Sequence, residues 1–157
     1  MIPGRDRAGG VEPVVGWPRI TATIDSETDG TLVINNVLHP CWAASAEILR
    51  TGMIARCAAV AITLGRPVRL DVTDSGRPLA LAVRPDGVVQ EIDGQGRIVP
   101  AESDLLPITG PCRRCRQPGP VTAAQCTSCG VEDPLGVLAA EPHPIASVDR
   151  TADLGAM

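Results

Sequence analysis

Four of the six cysteines in this 157-residue chain form two closely spaced pairs near the C-terminal end. Cys112 pairs with Cys115, and Cys126 pairs with Cys129, each time with two residues between them. Such spacing forms a tight turn that directs both sulfur atoms to one point, so the two pairs can offer four thiolates to one tetrahedral ion. Gly130 follows the second pair, where glycine adopts the backbone conformation that closes the turn at little cost. We therefore predict one structural Zn²⁺, with these four cysteines as its ligands.

Three other uses of paired cysteines compete with zinc. Disulfide bonds are disfavoured because the sequence shows no secretion signal and the chain is long enough to form a hydrophobic core. A redox-active CxxC motif usually opens a helix, but Pro118 and Pro120 follow the first pair too closely for one. An iron site with the same ligands stays open, as does a minor role in thiol redox chemistry.

The two CxxC pairs, with Gly130 after the second, resemble the zinc-ribbon class over about residues 110–131. The resemblance implies two CxxC turns, called knuckles below, carried on β-hairpins. It also implies that residues 121–124 form a strand that enters the second knuckle. It leaves activity open, because zinc ribbons serve in nucleic-acid machines, in adaptors and in enzymes.

Composition restricts the remaining possibilities. All fourteen basic residues are arginine, and phenylalanine and tyrosine are absent, so Trp17 and Trp42 are the only large rings that the core could use. The net charge of −4 gives no long-range attraction to nucleic acid or anionic membrane. The N-terminal residues lack an apolar run, and the longest weakly charged stretch, residues 51–65, is too short to span a bilayer. We expect a cytoplasmic protein.

Periodicity predicts an α+β fold, with an antiparallel sheet of about five strands in the order ββαβββ and one long helix packed on it. The predicted strands cover residues 19–25, 31–35, 68–73, 79–83 and 88–92. The helix is expected to begin at Pro40 and to end at Leu64, before Gly65. The expected organisation is a flexible segment 1–18, the α+β domain 19–100, a linker 101–109, the zinc ribbon 110–131 and a disordered tail 132–157.

Two apolar stripes run along the predicted helix, which carries only three charged residues. The stripe expected to pack on the sheet comprises Trp42, Ala46, Leu49, Met53, Cys57, Val60 and Leu64. The second stripe would face away from it and comprises Ala44, Ile48, Thr51, Ala55 and Ile62. An uncharged outer face predicts an interaction surface, used by a partner protein or by a homodimer that forms through the 40–64 helix. A cover formed by residues 1–18 is the alternative.

No group of residues suggests catalysis, since the phosphate-loop, serine-hydrolase and zinc-protease motifs are missing from the sequence. His39 and Cys41 lie just before or at the start of the predicted helix, where a histidine most often completes the helix end. Cys57 is expected in the core, and His143 is expected to be solvated in the tail. We predict that the protein is not an enzyme.

Two functional hypotheses remain. The first is a non-catalytic interaction or adaptor protein that docks into a larger assembly or self-associates. The second is weak nucleic-acid binding through Arg113, Arg114 and Arg116 of the first knuckle. The negative charge of a four-thiolate zinc site partly cancels these arginines, and the zinc ribbon contains no aromatic residue to stack on bases.

Overall fold

The computed structural model describes residues 14–100, 105–138 and 143–144. We call residues 14–100 the body and residues 105–138 the metal module. The strands are β1 Ile20–Ile24, β2 Asp29–Ile34, β3 Val37–Trp42, β4 Val68–Asp74, β5 Arg77–Val83, β6 Val89–Glu91, β7 Thr109–Pro111, β8 Pro118–Pro120 and β9 His143–Pro144. Helix α1 spans Ala46–Leu64.

The body is built on one sheet with the strand order β6-β5-β4-β1-β2-β3-β9. Neighbouring strands are antiparallel except β1 and β4, which are parallel. This parallel pair exists because α1 carries the chain across the sheet between them. The predicted α+β class is confirmed, with a helix on a mostly antiparallel sheet and a cysteine cluster toward the C-terminus. The structure adds β3, β9 and the parallel pair to the expected order.

One face of the sheet packs on α1. Ile20, Ala22 and Ile24 alternate as buried residues along β1, and Leu32 and Leu70 lie opposite them on the neighbouring strands. From the helix come the buried side chains of Leu49, Met53, Cys57, Ala58 and Ala61. Burial of each large aliphatic side chain contributes about 1.5–3 kcal/mol. The core contains neither tryptophan, contrary to prediction, since Trp17 and Trp42 are 58% and 53% exposed.

The predicted start of the helix at Pro40 is wrong. Asn35 and Asn36 have φ values of 48° and 68°, which form a two-residue hairpin turn between β2 and β3. Pro40 therefore lies in β3, opposite Thr31, and the helix begins only after Ser45, whose Oγ accepts the N–H of Ile48 at 3.2 Å. The predicted end at Leu64 is confirmed. No helix within the described ranges has the length and apolar character needed to cross a membrane.

At the end of the metal module the chain returns to the body. Leu138 forms a bridge with Cys41, the N–H of Trp42 donates to the carbonyl of Val137 at 2.8 Å, and β9 pairs with Val37 and Leu38 of β3. Residues 132–138 fall in the predicted disordered tail, but the structure places Leu135, Val137 and Leu138 against the body. The predictions for residues 1–13, 101–104, 139–142 and 145–157 lie outside the described residues.

The metal module packs on the outer side of α1 through two close approaches of glycine. A Cβ at Gly52 of α1 would lie 2.6 Å from the carbonyl oxygen of Leu135 and would also meet Val137. A Cβ at Gly110 of β7 would lie 2.5 Å from Leu135 Cδ2 and 2.7 Å from Thr51 Cγ2. Glycine is required at both positions because the two segments would otherwise be held apart.

The body and the metal module share one hydrophobic core. Val121, Leu135 and Val137 belong to the same buried cluster as Leu49 and Ile20. The strand expected at residues 121–124 does not form, and the chain on either side of the second knuckle meets only in an isolated bridge between Gln125 and Glu132. The module is therefore held by its packing on α1 as well as by its own hairpin.

The outer stripe predicted on the helix finds much of its cover within the chain. Thr51 packs against Gly110, Ala55 is buried, and Ile48 is half-buried. Ala44 precedes the helix and is exposed, and Ile62 is 48% exposed near the far end of α1. Within the described residues, the segment that covers this stripe is the metal module.

The paired glycines of the β7–β8 hairpin give a matched test of this packing. Gly110 lies opposite Gly119 in the register, but a Cβ at Gly119 would meet nothing within 4 Å. We expect Gly110→Ala to lower the free energy of unfolding by about 1–3 kcal/mol through overpacking, and Gly119→Ala to change it by less than about 0.5 kcal/mol. Urea unfolding monitored by circular dichroism measures both, and equal midpoints for the two variants would contradict the docking.

Candidate metal centre

The four predicted ligands converge on one point in the metal module. The Sγ atoms of Cys112 and Cys129 are 3.8 Å apart, those of Cys115 and Cys126 are 3.6 Å apart, and all four lie within 4.8 Å of one another. Tetrahedral coordination at about 2.3 Å separates neighbouring sulfur atoms by roughly 3.7–3.8 Å. All six cysteines of the chain are free thiols. The residues therefore fit a four-thiolate metal site.

The first knuckle directs its backbone donors at one sulfur. Cys112 Sγ accepts the N–H groups of Arg114 at 3.4 Å and of Cys115 at 3.5 Å. The N–H of Arg116 donates to the carbonyl of Cys112 at 3.0 Å, and the N–H of Cys112 donates to the carbonyl of Gln117 at 2.9 Å. To close this turn, Arg116 adopts a left-handed backbone with φ 69°.

The second knuckle repeats the same pattern, bond for bond. Cys126 Sγ accepts the N–H groups of Ser128 at 3.3 Å and of Cys129 at 3.5 Å. The N–H of Gly130 donates to the carbonyl of Cys126 at 2.9 Å, and the N–H of Cys126 donates to the carbonyl of Val131 at 2.9 Å. Gly130 has φ 81°, as the prediction for this glycine required. The two knuckles thus form a pseudo-symmetric pair around the sulfur cluster.

These backbone donors favour thiolates. The N–H of Cys115, followed by that of Arg114, lowers the pKa of Cys112 to about 6, and the N–H groups of Cys129 and Ser128 lower the pKa of Cys126. The N–H of Gln117 also acts to lower the pKa of Cys115, but burial and the neighbouring thiols outweigh it and raise that pKa to about 11. Four sulfurs this close cannot all ionise without a cation between them. A bound metal ion would supply that positive charge.

Arg113, Arg114 and Arg116, the residues predicted to contact nucleic acid, have different surroundings. Arg113 donates from Nε to the carbonyl of Asp133 at 2.9 Å and from Nη2 to that of Glu132 at 2.8 Å, so it ties the first knuckle to the segment after the second. Arg114 and Arg116 are exposed, and their side chains make no hydrogen bond or ion pair with the part of the chain that the structure describes. Arg113 therefore has a structural role.

The structure also reveals a cleft that the sequence did not predict. It has a volume of about 470 Å³ and lies where the metal module meets the start of α1, and we call it the junction cleft. Trp42 and Leu138 stand at this cleft with Arg113 and Arg116. The prediction missed it because Trp42 was assigned to the core-facing side of a helix, whereas β3 presents it to solvent. Consecutive side chains of a strand point to opposite faces, so assigning Cys41 and Trp42 to a strand would have placed one of them in the core and the other at the surface.

Two of the remaining candidates, Cys41 and Cys57, are core residues. Cys57 on α1 is fully buried, and burial raises its pKa to about 12. Cys41 on β3 is also buried, and burial raises its pKa to about 11. Both thiols therefore stay protonated near neutral pH, which disfavours a nucleophilic role. Cys57 is a small core residue, as predicted.

His39 is a buried histidine of β3 rather than part of a helix end. It is 7% exposed, and its Nδ1 atom has no hydrogen-bond partner in the described structure. Burial, with a smaller contribution from the positive charge of Arg56, lowers its pKa below the ordinary 6.5. His39 is therefore held in the neutral form.

The burial of His39 predicts a loss of stability in acid. The unfolded chain takes up a proton at the ordinary pKa while the folded chain resists it, so the free energy of unfolding should fall as pH drops below about 6.5. His39→Met removes this term and should flatten the dependence between pH 7.5 and 5.5. Urea unfolding at each pH measures the free energy of unfolding of the wild type and of His39→Met. Titration of the other groups affects both proteins equally and cancels when one value is subtracted from the other. Parallel curves would contradict the burial of a neutral imidazole.

The four cysteines could form a closed metal site. Four protein ligands leave no open coordination position for a substrate, which is typical of structural rather than catalytic metal sites. Within the described residues, no second group of three or more histidine, cysteine or acidic side chains is close enough to hold a metal. Comparisons of the chain with known protein families, curated proteins and solved structures find no match.

Proposed function

We propose that this protein is a non-catalytic interaction or adaptor protein whose surface is built around one structural zinc ion. The observation that carries the proposal is the docking of the metal module on α1, which leaves large apolar side chains exposed beside the junction. Trp42 is 53% exposed and Leu138 is 40% exposed there. Exposed apolar side chains clustered at a cleft are typical of binding surfaces.

The surroundings of the reactive groups support a role without catalysis. The thiols of Cys41 and Cys57 are buried with raised pKa values, and the other four cysteines form the closed cluster. Such a site offers a substrate neither a nucleophile nor an open metal position.

Zinc is the metal that we propose, with iron as the alternative. Four thiolates in two CxxC knuckles form a site that either ion can use, and zinc is the common choice for a structural one. A thiolate site of this kind persists in a reducing compartment, which supports the proposal of a cytoplasmic protein. Elemental analysis of the purified chain should find one equivalent of zinc, and stoichiometric iron would contradict the assignment.

Nucleic-acid binding is the second candidate, because Arg114 and Arg116 are exposed and their side chains are free of ion pairs within the described ranges. Any such binding should weaken steeply with salt. Arg114→Ala should reduce the affinity without disturbing the fold. Arg113→Ala is unsuitable for this test because it also removes bonds to Glu132 and Asp133.

The proposed function is tested by native mass spectrometry of the tagged full chain, purified after mild crosslinking in its source cells. We expect a stoichiometric partner protein or a homodimer, with the metal retained. A chain that is recovered as a metal-loaded monomer at its working concentration, without any partner, would contradict an interaction role. Turnover of a substrate by that monomer would contradict the absence of catalysis.

A further inference from the structure

The junction cleft combines an apolar surface with positive charge. Ile48 of α1, Val137 and Leu138 of the metal module, and Trp42 of β3 supply apolar atoms to it. A volume of about 470 Å³ accommodates two or three side chains, and it falls within the range of ligand pockets in proteins. The lining of the cleft is fixed where the metal module meets β3. Val137 of the module is buried, and its carbonyl accepts a hydrogen bond from the N–H of Trp42 in β3 at 2.8 Å.

Both charged side chains at this cleft are arginines, and the thiolate of Cys112, which also lies in the lining, offsets part of their charge. Arg113 and Arg116 line it, and none of its lining residues is acidic. Arg113 already donates to two backbone carbonyls, whereas the Arg116 side chain makes no hydrogen bond or ion pair with the described residues. The cleft therefore favours a ligand with an apolar group and a negative charge.

The backbone of Arg116 indicates that its side chain is what matters at this position. The equivalent residue of the second knuckle is Gly130, and both have a left-handed backbone, with φ 69° for Arg116 and 81° for Gly130. A residue with a side chain adopts this conformation at a cost of roughly 1–2 kcal/mol, which glycine avoids. The turn alone favours glycine at this position, and a glycine would not place a guanidinium beside the cleft.

We propose that the junction cleft binds a short acidic segment of a partner protein, with a large apolar side chain against Trp42 and Leu138 and a carboxylate on Arg116. The inference rests on the proposed interaction function and adds the chemistry of the partner. Tryptophan and arginine are the residues that most often dominate such contacts. A nucleic acid fits less well, because it needs several cations along its phosphates, while this cleft has one uncommitted guanidinium in a chain of net charge −4.

The test selects phage-displayed random heptapeptides on the full, metal-loaded chain. We expect enrichment of peptides in which aspartate or glutamate lies near tryptophan, phenylalanine, leucine or isoleucine. Each selected synthetic peptide then carries a fluorophore, and its affinity is measured by fluorescence anisotropy, which also serves for variants of Trp42. In a Trp17→Phe background, Trp42 is the sole tryptophan and reports directly on the cleft.

Matched variants assign the binding to its residues. Arg116→Gly keeps the knuckle backbone and should weaken the selected peptides about tenfold to a hundredfold, as loss of a hydrogen bond to a charged group does. Arg114→Ala, in the same knuckle but outside the lining, should leave the affinity unchanged. Trp42→Ala should abolish binding, whereas Trp17→Ala, at an equally exposed tryptophan elsewhere, should not. Zinc content and unfolding midpoints establish that each variant is folded.

Three results would overturn the assignment: selection without acidic peptides, equal affinity of Arg116→Gly and wild type, or quenching of Trp42 by oligothymidylate in place of peptide. Native mass spectrometry of the crosslinked chain separates the proposed interaction function from the proposed role of the junction cleft. If the chain captures a stoichiometric partner while Trp42→Ala and Arg116→Gly capture it equally well, the cleft assignment fails and the interaction function stands. If the chain captures none, the interaction function itself fails.

Discussion

Cys126→Ser is expected to release the metal and to destabilise the whole protein, not the metal module alone. Metal binding and folding are coupled in a module with so little regular structure. The module also contributes Val121, Leu135 and Val137 to the core of the body. At about 1.5–3 kcal/mol for each buried side chain, their loss approaches the 5–15 kcal/mol that stabilises a typical domain.

This result is measured by metal analysis together with urea unfolding of the helix and sheet signal. Ser128→Ala is the matched control, since it lies in the same knuckle and only its backbone N–H contacts a ligand sulfur. The control should keep its metal and its unfolding midpoint. A metal-free Cys126→Ser protein whose helix and sheet unfold at the wild-type midpoint would show that the body folds independently of the module.

Gly52→Ala is expected to destabilise the protein although it improves the helix. Alanine in place of glycine within a helix normally gains about 1 kcal/mol. Here the new Cβ would lie 2.6 Å from the backbone carbonyl oxygen of Leu135 and would meet Val137 as well. Backbone cannot move aside as a flexible side chain does, so the overpacking cost of about 1–3 kcal/mol exceeds the gain.

Thermal and urea unfolding measure this effect, with Ala59→Gly as the opposite control. Ala59 is exposed on the same helix, so its change to glycine should cost about 1 kcal/mol by propensity alone. Gly52→Ala could instead raise the free energy of unfolding by as much as Ala59→Gly lowers it. In that case helix propensity alone would govern both positions. The module would then not be pressed against α1 at Gly52.

Local patterns predicted the features that depend on neighbouring residues. The CxxC spacing identified all four cysteines of the cluster, because each knuckle is formed by consecutive backbone N–H groups around one sulfur. Alternation located β1 and β4, turn residues located β2, β5 and β6, and the end of α1 followed from Gly65, which has φ 70°. In these cases the short-range chemistry and the tertiary structure agree.

Features that depend on distant residues were missed. The sequence predicts Pro40 as the first residue of a helix, whereas it lies in β3, where the Asn35-Asn36 turn and the pairing with β2 decide the conformation. The prolines near residue 134 suggested disorder, but Leu135 and Val137 fill the space left by Gly52. No local pattern reveals that a glycine in a helix faces a segment more than eighty residues away.

The position of β3 has a consequence for the order of folding. Its outer edge pairs with Leu138 and β9, about a hundred residues later in the chain. Until that segment is synthesised, β3 presents an open edge of the kind through which unfinished chains associate. The two knuckles lie between β3 and this segment in the chain, so their closure around an ion would bring the last strand to this edge early. We expect cells that are short of the metal to accumulate the chain as aggregates formed during synthesis, because the edge then stays open longest.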